Sequence, residues 1–174
     1  MINKEEITLN WIESVSKANR NADKILVEKV IRALLLLEGL VEQKLSFVFK
    51  GGTALMLHLN STKRLSIDID IIIPNKPKNL DELLDKVAAE QGFIRKSLQH
   101  RVVNSKIDKE HYQFYFKQTY KTKKEEEYVL LDILFEEILY KKVIQIDIKS
   151  PFVPNIGSPS IVEVPCLEDI AGDK

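Results

Sequence analysis

Apolar residues recur along this chain with two periods, and each period predicts one type of secondary structure. Spacings of three and four residues predict helices, which we place at residues 5–18, 21–44, 53–59, 79–92 and from 167 onward. Alternating or short apolar runs predict strands, which we place at residues 46–50, 66–73, 111–120, 126–137, 142–150 and 160–165. A polar turn joins the strands 111–120 and 126–137 and predicts a β-hairpin. Asn21 is the predicted N-cap of the second helix.

The length and composition indicate one globular domain. The chain has 174 residues, of which 44% are hydrophobic and 30% are charged, so it is long enough to bury one core. A formal net charge of zero argues against a generally basic nucleic-acid-binding protein. The N-terminus lacks the apolar segment of a signal peptide, and the longest apolar run is too short to span a bilayer. The single Cys166 cannot form an internal disulfide, so we predict a cytoplasmic protein without membrane contact.

The predicted elements divide the single domain, residues 1–174, into successive regions. Residues 1–45 are predicted to be helical, and residues 46–166 contain all the predicted strands. A helix that begins near Leu167 has only a turn or two before Lys174, which is too short to be stable alone. We therefore expect that a C-terminal part of the protein is missing from this chain.

Two aspartates interrupt the isoleucine-rich strand 66–73. Residues two apart on a strand project to the same face, so Asp68 and Asp70 are predicted to lie side by side. Adjacent carboxylates repel each other and lose hydration when they are buried, and a divalent cation removes both penalties. The pair predicts a Mg²⁺ site, because Mg²⁺ prefers hard oxygen ligands. Two aspartates in this pattern also occur in turns, on exposed faces and in sugar transferases.

A third carboxylate would complete a two-metal site for phosphoryl transfer. Asp132 is the first candidate, since it lies inside the strongly apolar strand "VLLDILF". Asp147 in "VIQIDIK" is the second candidate.

Gly51 and Gly52 form the turn between the strand 46–50 and the next helix. Such a turn lets backbone amides approach an anion, and the positive end of the helix dipole favours a phosphate there. Thr53 falls in the first turn of that helix, where its hydroxyl could donate to a phosphate oxygen. The plain alternative is a strand-to-helix turn with no ligand. The motif of a Walker loop is absent.

Four motifs together resemble one family. They are "KGGTAL" (50–55), "RLSIDID" (64–70), "LLDILF" (130–135) and "LEDIAGDK" (167–174). With these spacings they resemble the nucleotidyltransferase AbiEii/AbiGii toxin family, within the polymerase-β-like nucleotidyltransferase superfamily, over roughly residues 20–174. The resemblance implies an α+β fold, with a mixed sheet flanked by helices, and a helical C-terminal region beyond "GDK".

The resemblance also implies a reaction and the residues that perform it. The chain would transfer a nucleotide from a nucleoside triphosphate (NTP) to an acceptor, which for some relatives is tRNA, and an antitoxin protein would restrain it. The metal ligands implied for Mg²⁺ are Asp68, Asp70 and Asp132, the last also helping to activate the acceptor hydroxyl. The residues implied for the triphosphate are Gly51, Gly52, Thr53, Arg64, Ser66 and Lys174. Arg64 and Ser66 could instead brace the strand.

Two other functions are compatible with the same residues. The pocket could hold a nucleotide without turnover, as a binding module. The aspartate pair could also belong to a metal-dependent sugar transferase, although the Gly-Gly turn argues against that class.

Overall fold

A computed structural model of the chain describes residues 1–100, 106–120 and 123–172. The helices are α1 (Leu9–Ala18), α2 (Lys24–Glu42), α3 (Gly51–His58), α4 (Leu80–Glu90) and α5 (Leu167–Gly172), preceded by a 3₁₀ turn at Lys4–Glu6. The strands are β1 (Val48–Lys50), β2 (Ile69–Ile72), β3 (Arg95–Gln99), β4 (Asp108–Lys117), β5 (Glu126–Phe135), β6 (Val143–Asp147) and β7 (Ile161–Pro165).

Five strands form one mixed sheet with the order β1-β2-β5-β4-β3. The central pair, β2 and β5, is parallel, and every other pair in this sheet is antiparallel. Strands β6 and β7 form a separate antiparallel sheet. The predicted hairpin is confirmed as β4 and β5, and the predicted mixed sheet flanked by helices is confirmed as well.

Helix α2 is the centre of the hydrophobic core. Its residues Leu34 to Leu37 are all buried, because the helix contacts α1, α4 and the sheet on different sides. A helix that is apolar all round is typical of such a central position. Within the described part of the chain, none of the helices combines the length and the apolarity that a membrane crossing needs.

Helix α2 begins later than the sequence predicts. Asn21 is not its N-cap, because Asn21 and Arg20 adopt positive φ angles in the turn before the helix. Asp23 is the cap instead, since its side chain accepts from the backbone N–H groups of Ile25 and Leu26. A carboxylate at this position also interacts favourably with the helix dipole.

Two strands differ from their predicted forms. Strand β2 spans only Ile69–Ile72, so Asp68 precedes the strand instead of lying within it. Strand β3 was not predicted, because its sequence "RKSLQ" is mostly polar. An edge strand tolerates such residues, since one side of it faces solvent, and β3 lies at the edge of the sheet beside β4.

A buried carboxylate ties the N-terminus to the core. Glu38 on α2 is fully buried, and its two oxygens lie 3.0 Å from the backbone N of Ile2. The Ser160 hydroxyl donates to the same carboxylate at 2.9 Å. Glu38 therefore joins three segments that are far apart in sequence: the N-terminus, α2 and the residues before β7.

Replacing Glu38 with alanine is expected to destabilise the fold by about 3 kcal/mol, because buried donors would lose a charged acceptor. Urea unfolding measures this loss. Glu42→Ala on the same helix is the control, since Glu42 is partly exposed and accepts from Gln91 at 2.8 Å. Equal losses for the two variants would contradict a special role for Glu38.

Candidate active site

One residue from each strand of the five-stranded sheet contributes to a single polar row. The register pairs Lys50 with Asp70, Asp70 with Asp132, Asp132 with His111, and His111 with Gln99. Directly opposed residues project from the same face of a sheet. The row therefore crosses all five strands on one face, with the two carboxylates near its middle.

The opposite face of the central strands is apolar. Ile69 and Ile71 on β2 and Leu131 and Ile133 on β5 are almost fully buried. They face the layer that contains α2, which contacts both strands. The alternation of isoleucine and aspartate in the sequence thus places the hydrocarbon side chains in the core and the carboxylates on the other face.

The environment of Asp70 disfavours its ionised form. Burial raises the pKa of Asp70 most, and the negative charges of Asp132 and Asp68 raise it further. Lys50 and His111 oppose this effect, and the net result is a pKa of about 6 instead of 3.8. The site therefore concentrates negative charge that a bound cation could neutralise.

Asp132 has a close partner on the neighbouring strand. Nδ1 of His111 lies 2.5 Å from Oδ1 of Asp132. Both side chains are mostly buried, with 15% and 27% of their surface exposed. An ionised carboxylate only accepts hydrogen bonds, so Nδ1 of His111 is the donor in that state.

Thr53 and Ser66 hold the segment before β2 against α3. The Thr53 side chain is fully buried, and its hydroxyl donates to the backbone oxygen of Asp68 at 2.6 Å. The Ser66 hydroxyl lies 2.8 Å from the Thr53 hydroxyl. The Thr53 hydroxyl thus positions Asp68 in this structure, and its contact with a phosphate stays a prediction.

The Gly-Gly turn lies directly beside the carboxylates. Gly51 has a φ of +82°, which side chains rarely adopt, and a Cβ on it would overlap Oδ2 of Asp70 and lie 3.1 Å from its Cγ. A Cβ on Gly52 would lie 3.1 Å from the Ser66 hydroxyl oxygen. Glycine at 51 therefore allows the start of α3 to approach the Asp70 carboxylate.

A cavity of about 380 Å³ adjoins this turn. Its walls include Gly52 and Ser66, and the exposed Lys63 and Arg64 provide positive charge. The remaining lining is mostly apolar, from Leu55, Met56, Leu59 and Leu65, with Ser61. The predicted residues Arg64 and Ser66 thus line one cavity beside the glycine turn, where an anion would meet positive side chains.

The two candidates for a third carboxylate occupy different sheets. Asp132 lies opposite Asp70 in the five-stranded sheet, whereas Asp147 is exposed at the end of β6 in the second sheet. The structure therefore brings Asp132, and not Asp147, to the aspartate pair. Lys174, the remaining predicted contact to the triphosphate, lies outside the described residues.

The acidic residues fit a cation that binds together with a phosphorylated substrate. Among the described residues, no group of three or more histidine, cysteine, aspartate and glutamate side chains already surrounds a metal position. Mg²⁺, however, is commonly held by one or two carboxylates, with phosphates and water completing its ligands. Asp70 and Asp132 supply such oxygens, and burial, followed by the negative charges of Asp132 and Asp68, raises the pKa of Asp70.

Sequence reasoning missed three members of the polar row, Lys50, His111 and Gln99. None of the three was predicted as a site residue, although Lys50 is the first residue of the motif "KGGTAL". The predicted hairpin is compatible with the contact between His111 and Asp132, because one register of its strands places the two residues opposite each other. The register itself could not be read from the sequence, since a polar turn of this length permits several pairings.

The mixed sheet thus places Asp70 and Asp132 on one face, beside a glycine turn at the start of a helix, as a nucleotidyltransferase site requires. The family model for "nucleotidyl transferase AbiEii toxin, type IV TA system" matches residues 35–174. The chain belongs to this AbiEii family of nucleotidyltransferase toxins.

A crystal structure of a candidate nucleotidyltransferase from H. pylori is also similar to this chain. The similarity covers 84% of this chain and 55% of that chain, with 23% sequence identity and a TM-score of 0.47. This chain thus spans about half the length of that protein, and at this TM-score the likeness carries no argument. A comparison with curated proteins found no significant match.

Proposed function

We propose that this chain provides the catalytic domain of a Mg²⁺-dependent nucleotidyltransferase that transfers a nucleotide from an NTP to tRNA. The observation that carries the proposal is the position of Asp70 opposite Asp132, beside the Gly51 turn. Carboxylates that repel each other next to a phosphate-binding turn suit a substrate that arrives as an NTP–metal complex. The family membership supports the same reaction class.

Different residues of the site have different roles in binding the NTP. Gly51 and Gly52 place the start of α3 where backbone N–H groups receive the triphosphate. Arg64, from the rim of the adjoining cavity, adds positive charge to neutralise it. Ser66 and Thr53 keep the segment that carries Asp68 in place.

Asp68, Asp70 and Asp132 would hold the Mg²⁺, which when bound neutralises phosphate charge and polarises the reacting phosphorus. In the reaction, the acceptor oxygen forms a bond to the α-phosphorus, and the bond to the β-phosphate breaks to release pyrophosphate. The hydroxyl proton of the acceptor passes to a carboxylate, and Asp132 is our assignment for that base. The protein contributes positioning and charge neutralisation more than covalent chemistry.

The tRNA acceptor and the antitoxin partner are inferred from the family. The chain has no net charge, so tRNA binding would depend on local positive side chains such as Lys63 and Arg64. An antitoxin would then act by restraining nucleotide transfer in the cell. We place the protein in the cytoplasm, where both NTP and tRNA occur.

Label transfer tests the proposed reaction. The chain is incubated with total tRNA, Mg²⁺ and each of the four α-labelled NTPs, and the tRNA is then separated on a gel. We expect labelled tRNA that disappears with EDTA and in Asp132→Asn. Asp147→Asn, which removes an exposed carboxylate outside the row, is the matched control and should keep full activity.

Nucleotide binding is measured in parallel by calorimetry. Tight binding of an NTP with Mg²⁺ but no transfer to any RNA would favour the non-catalytic binding module. Hydrolysis of a nucleotide sugar in place of NTP use would favour the sugar transferase.

A further inference from the structure

His111, a member of the polar row, contacts a proposed cation ligand through a hydrogen bond between side chains. Its Nδ1 lies 2.5 Å from Oδ1 of Asp132, and the two residues are directly opposed on β4 and β5. Strand pairing on both sides of β5 therefore places Asp132 between a like charge, Asp70, and a hydrogen-bond donor, His111.

We propose that His111 is a positioning residue that holds the Asp132 carboxylate in the orientation in which it receives the divalent cation. This inference rests on the proposed function. The hydrogen bond occupies Oδ1 of Asp132 and leaves Oδ2 for another partner. At other metal sites, residues that orient a metal-binding side chain in this way typically contribute about 10- to 100-fold to metal affinity or activity.

The need for such a residue follows from the charges in the row. Before a cation binds, Asp70 and Asp132 repel each other, and rotation of the Asp132 side chain away from Asp70 would relieve the repulsion. A short hydrogen bond to His111 opposes that rotation. Because both side chains are mostly buried, water competes weakly for the same oxygen.

The position of His111 on its strand favours a role in orienting Asp132 over a role in packing the hydrophobic core. The next residue, Tyr112, points to the opposite face, where it is buried and its hydroxyl donates to Glu110 at 2.7 Å. His111 keeps 15% of its side chain exposed on the face that carries the carboxylates. His111 is not among the residues of the hydrophobic core, and its Nδ1 contacts Asp132.

The test uses Mn²⁺ as a spectroscopic substitute for Mg²⁺, with its dissociation constant measured by electron paramagnetic resonance. His111→Phe keeps a ring but removes the donor, and His111→Asn restores an N–H group close to the place of Nδ1. We expect His111→Phe to weaken Mn²⁺ binding roughly 10- to 100-fold, and His111→Asn to recover most of it. Tyr112→Phe, the control on the same strand, should bind as the natural protein does.

A double-mutant cycle with Asp132 then decides whether His111 acts through that carboxylate. In an Asp132→Asn background, His111→Phe should cause no further loss, because the residue that it positions is gone. A thermal melt of each variant reports folding, and His111→Ala replaces the phenylalanine variant if that one does not fold.

The outcomes separate the two proposals. One outcome is that the natural protein binds Mn²⁺, Asp70→Asn does not, and His111→Phe binds as tightly as the natural protein. That outcome overturns the positioning role of His111 but leaves the proposed function standing. A loss that asparagine does not restore, or that persists in the Asp132→Asn background, also overturns the positioning role. If the natural protein binds no Mn²⁺ with or without NTP, the proposed cation site fails, and the role of His111 fails with it.

Discussion

Replacing Asp70 with asparagine is expected to abolish nucleotide transfer while making the fold more stable. The carboxylate lies among negative charges that favour a cation, and the loss of several kcal/mol of charge stabilisation in the transition state corresponds to a rate loss of about 10³-fold or more. Asparagine has nearly the same shape but no charge. It removes both the burial of a charge and the repulsion from Asp132 and Asp68, which together raise the pKa of Asp70.

The stability that Asp70→Asn gains over the natural protein is expected to depend on pH in metal-free buffer. The pKa of Asp70 is about 6 in the folded protein and near the ordinary 3.8 in the unfolded chain, so the folded state binds more protons between these values. The stability of the natural protein therefore falls, relative to Asp70→Asn, as the pH rises from about 4 to about 6. Above this window the difference should be constant at about 1–3 kcal/mol, a value reduced for partial exposure to solvent.

Urea unfolding in EDTA at several pH values measures this difference. Charged groups far from Asp70 cancel in this comparison, so the difference between the two proteins reports Asp70 together with the charges that act on it. Asp147→Asn is the matched control, because its carboxylate is exposed in the second sheet and should change stability little at any pH. An Asp70→Asn variant that transferred nucleotide at the natural rate would exclude Asp70 from the chemistry.

The substitution Gly51→Ala should cause the other large effect. Its Cβ would overlap Oδ2 of Asp70, and its φ of +82° is unfavourable for any side chain. The added methyl group can be accommodated only if Asp70 or the turn moves. Since a displacement of about 1 Å costs roughly 100-fold in rate, we expect nucleotide transfer to fall by at least that factor.

Gly157→Ala is the matched control for Gly51→Ala. Gly157 also has a positive φ, of +64°, but a Cβ there would meet nothing within 4 Å. Both variants should lose about 1–2 kcal/mol of stability from backbone strain, and only Gly51→Ala should lose activity and Mn²⁺ binding. Equal activity in the two variants would show that the close approach to Asp70 does not matter for catalysis.

Both predictions follow from one property of the site: its arrangement of side chains lowers the stability of the fold. Asp70 and Asp132 are held close together although they repel each other, and Gly51 allows the turn to approach them. Proteins commonly accept such local strain where a ligand relieves it. Added Mg²⁺ is accordingly expected to stabilise the natural protein more than Asp70→Asn, which lacks the charge to be neutralised.

Local patterns were sufficient to predict most of the fold. Among the residues that the structure describes, the periods of apolar residues located the five α-helices and six of the seven strands, because each of these elements buries one face or one apolar run. Strand β3 escaped prediction, since an edge strand needs few apolar residues. The N-cap of α2 was misplaced by two residues, because Asn21 and Asp23 are both suitable capping residues.

The candidate site was predictable in part for a related reason. The aspartates at 68 and 70, the two glycines and Asp132 stand out because each conflicts with its apolar surroundings. His111 and Lys50 conflict with nothing near them in the sequence, so no local signal indicated them. The buried Glu38 was visible as an acid in an apolar helix, but its partners, Ile2 and Ser160, were not.

The sequence by itself determined most of the elements, the family and the candidate residues for binding phosphate and metal, since these depend on neighbours within a few positions. Only the tertiary structure decided which of them meet. Strand order and register put Asp132 between Asp70 and His111, and placed Asp147 in another sheet. The physical reason is that register depends on how the whole sheet packs against α2, and a shift of one residue would turn every carboxylate of a strand to the other face.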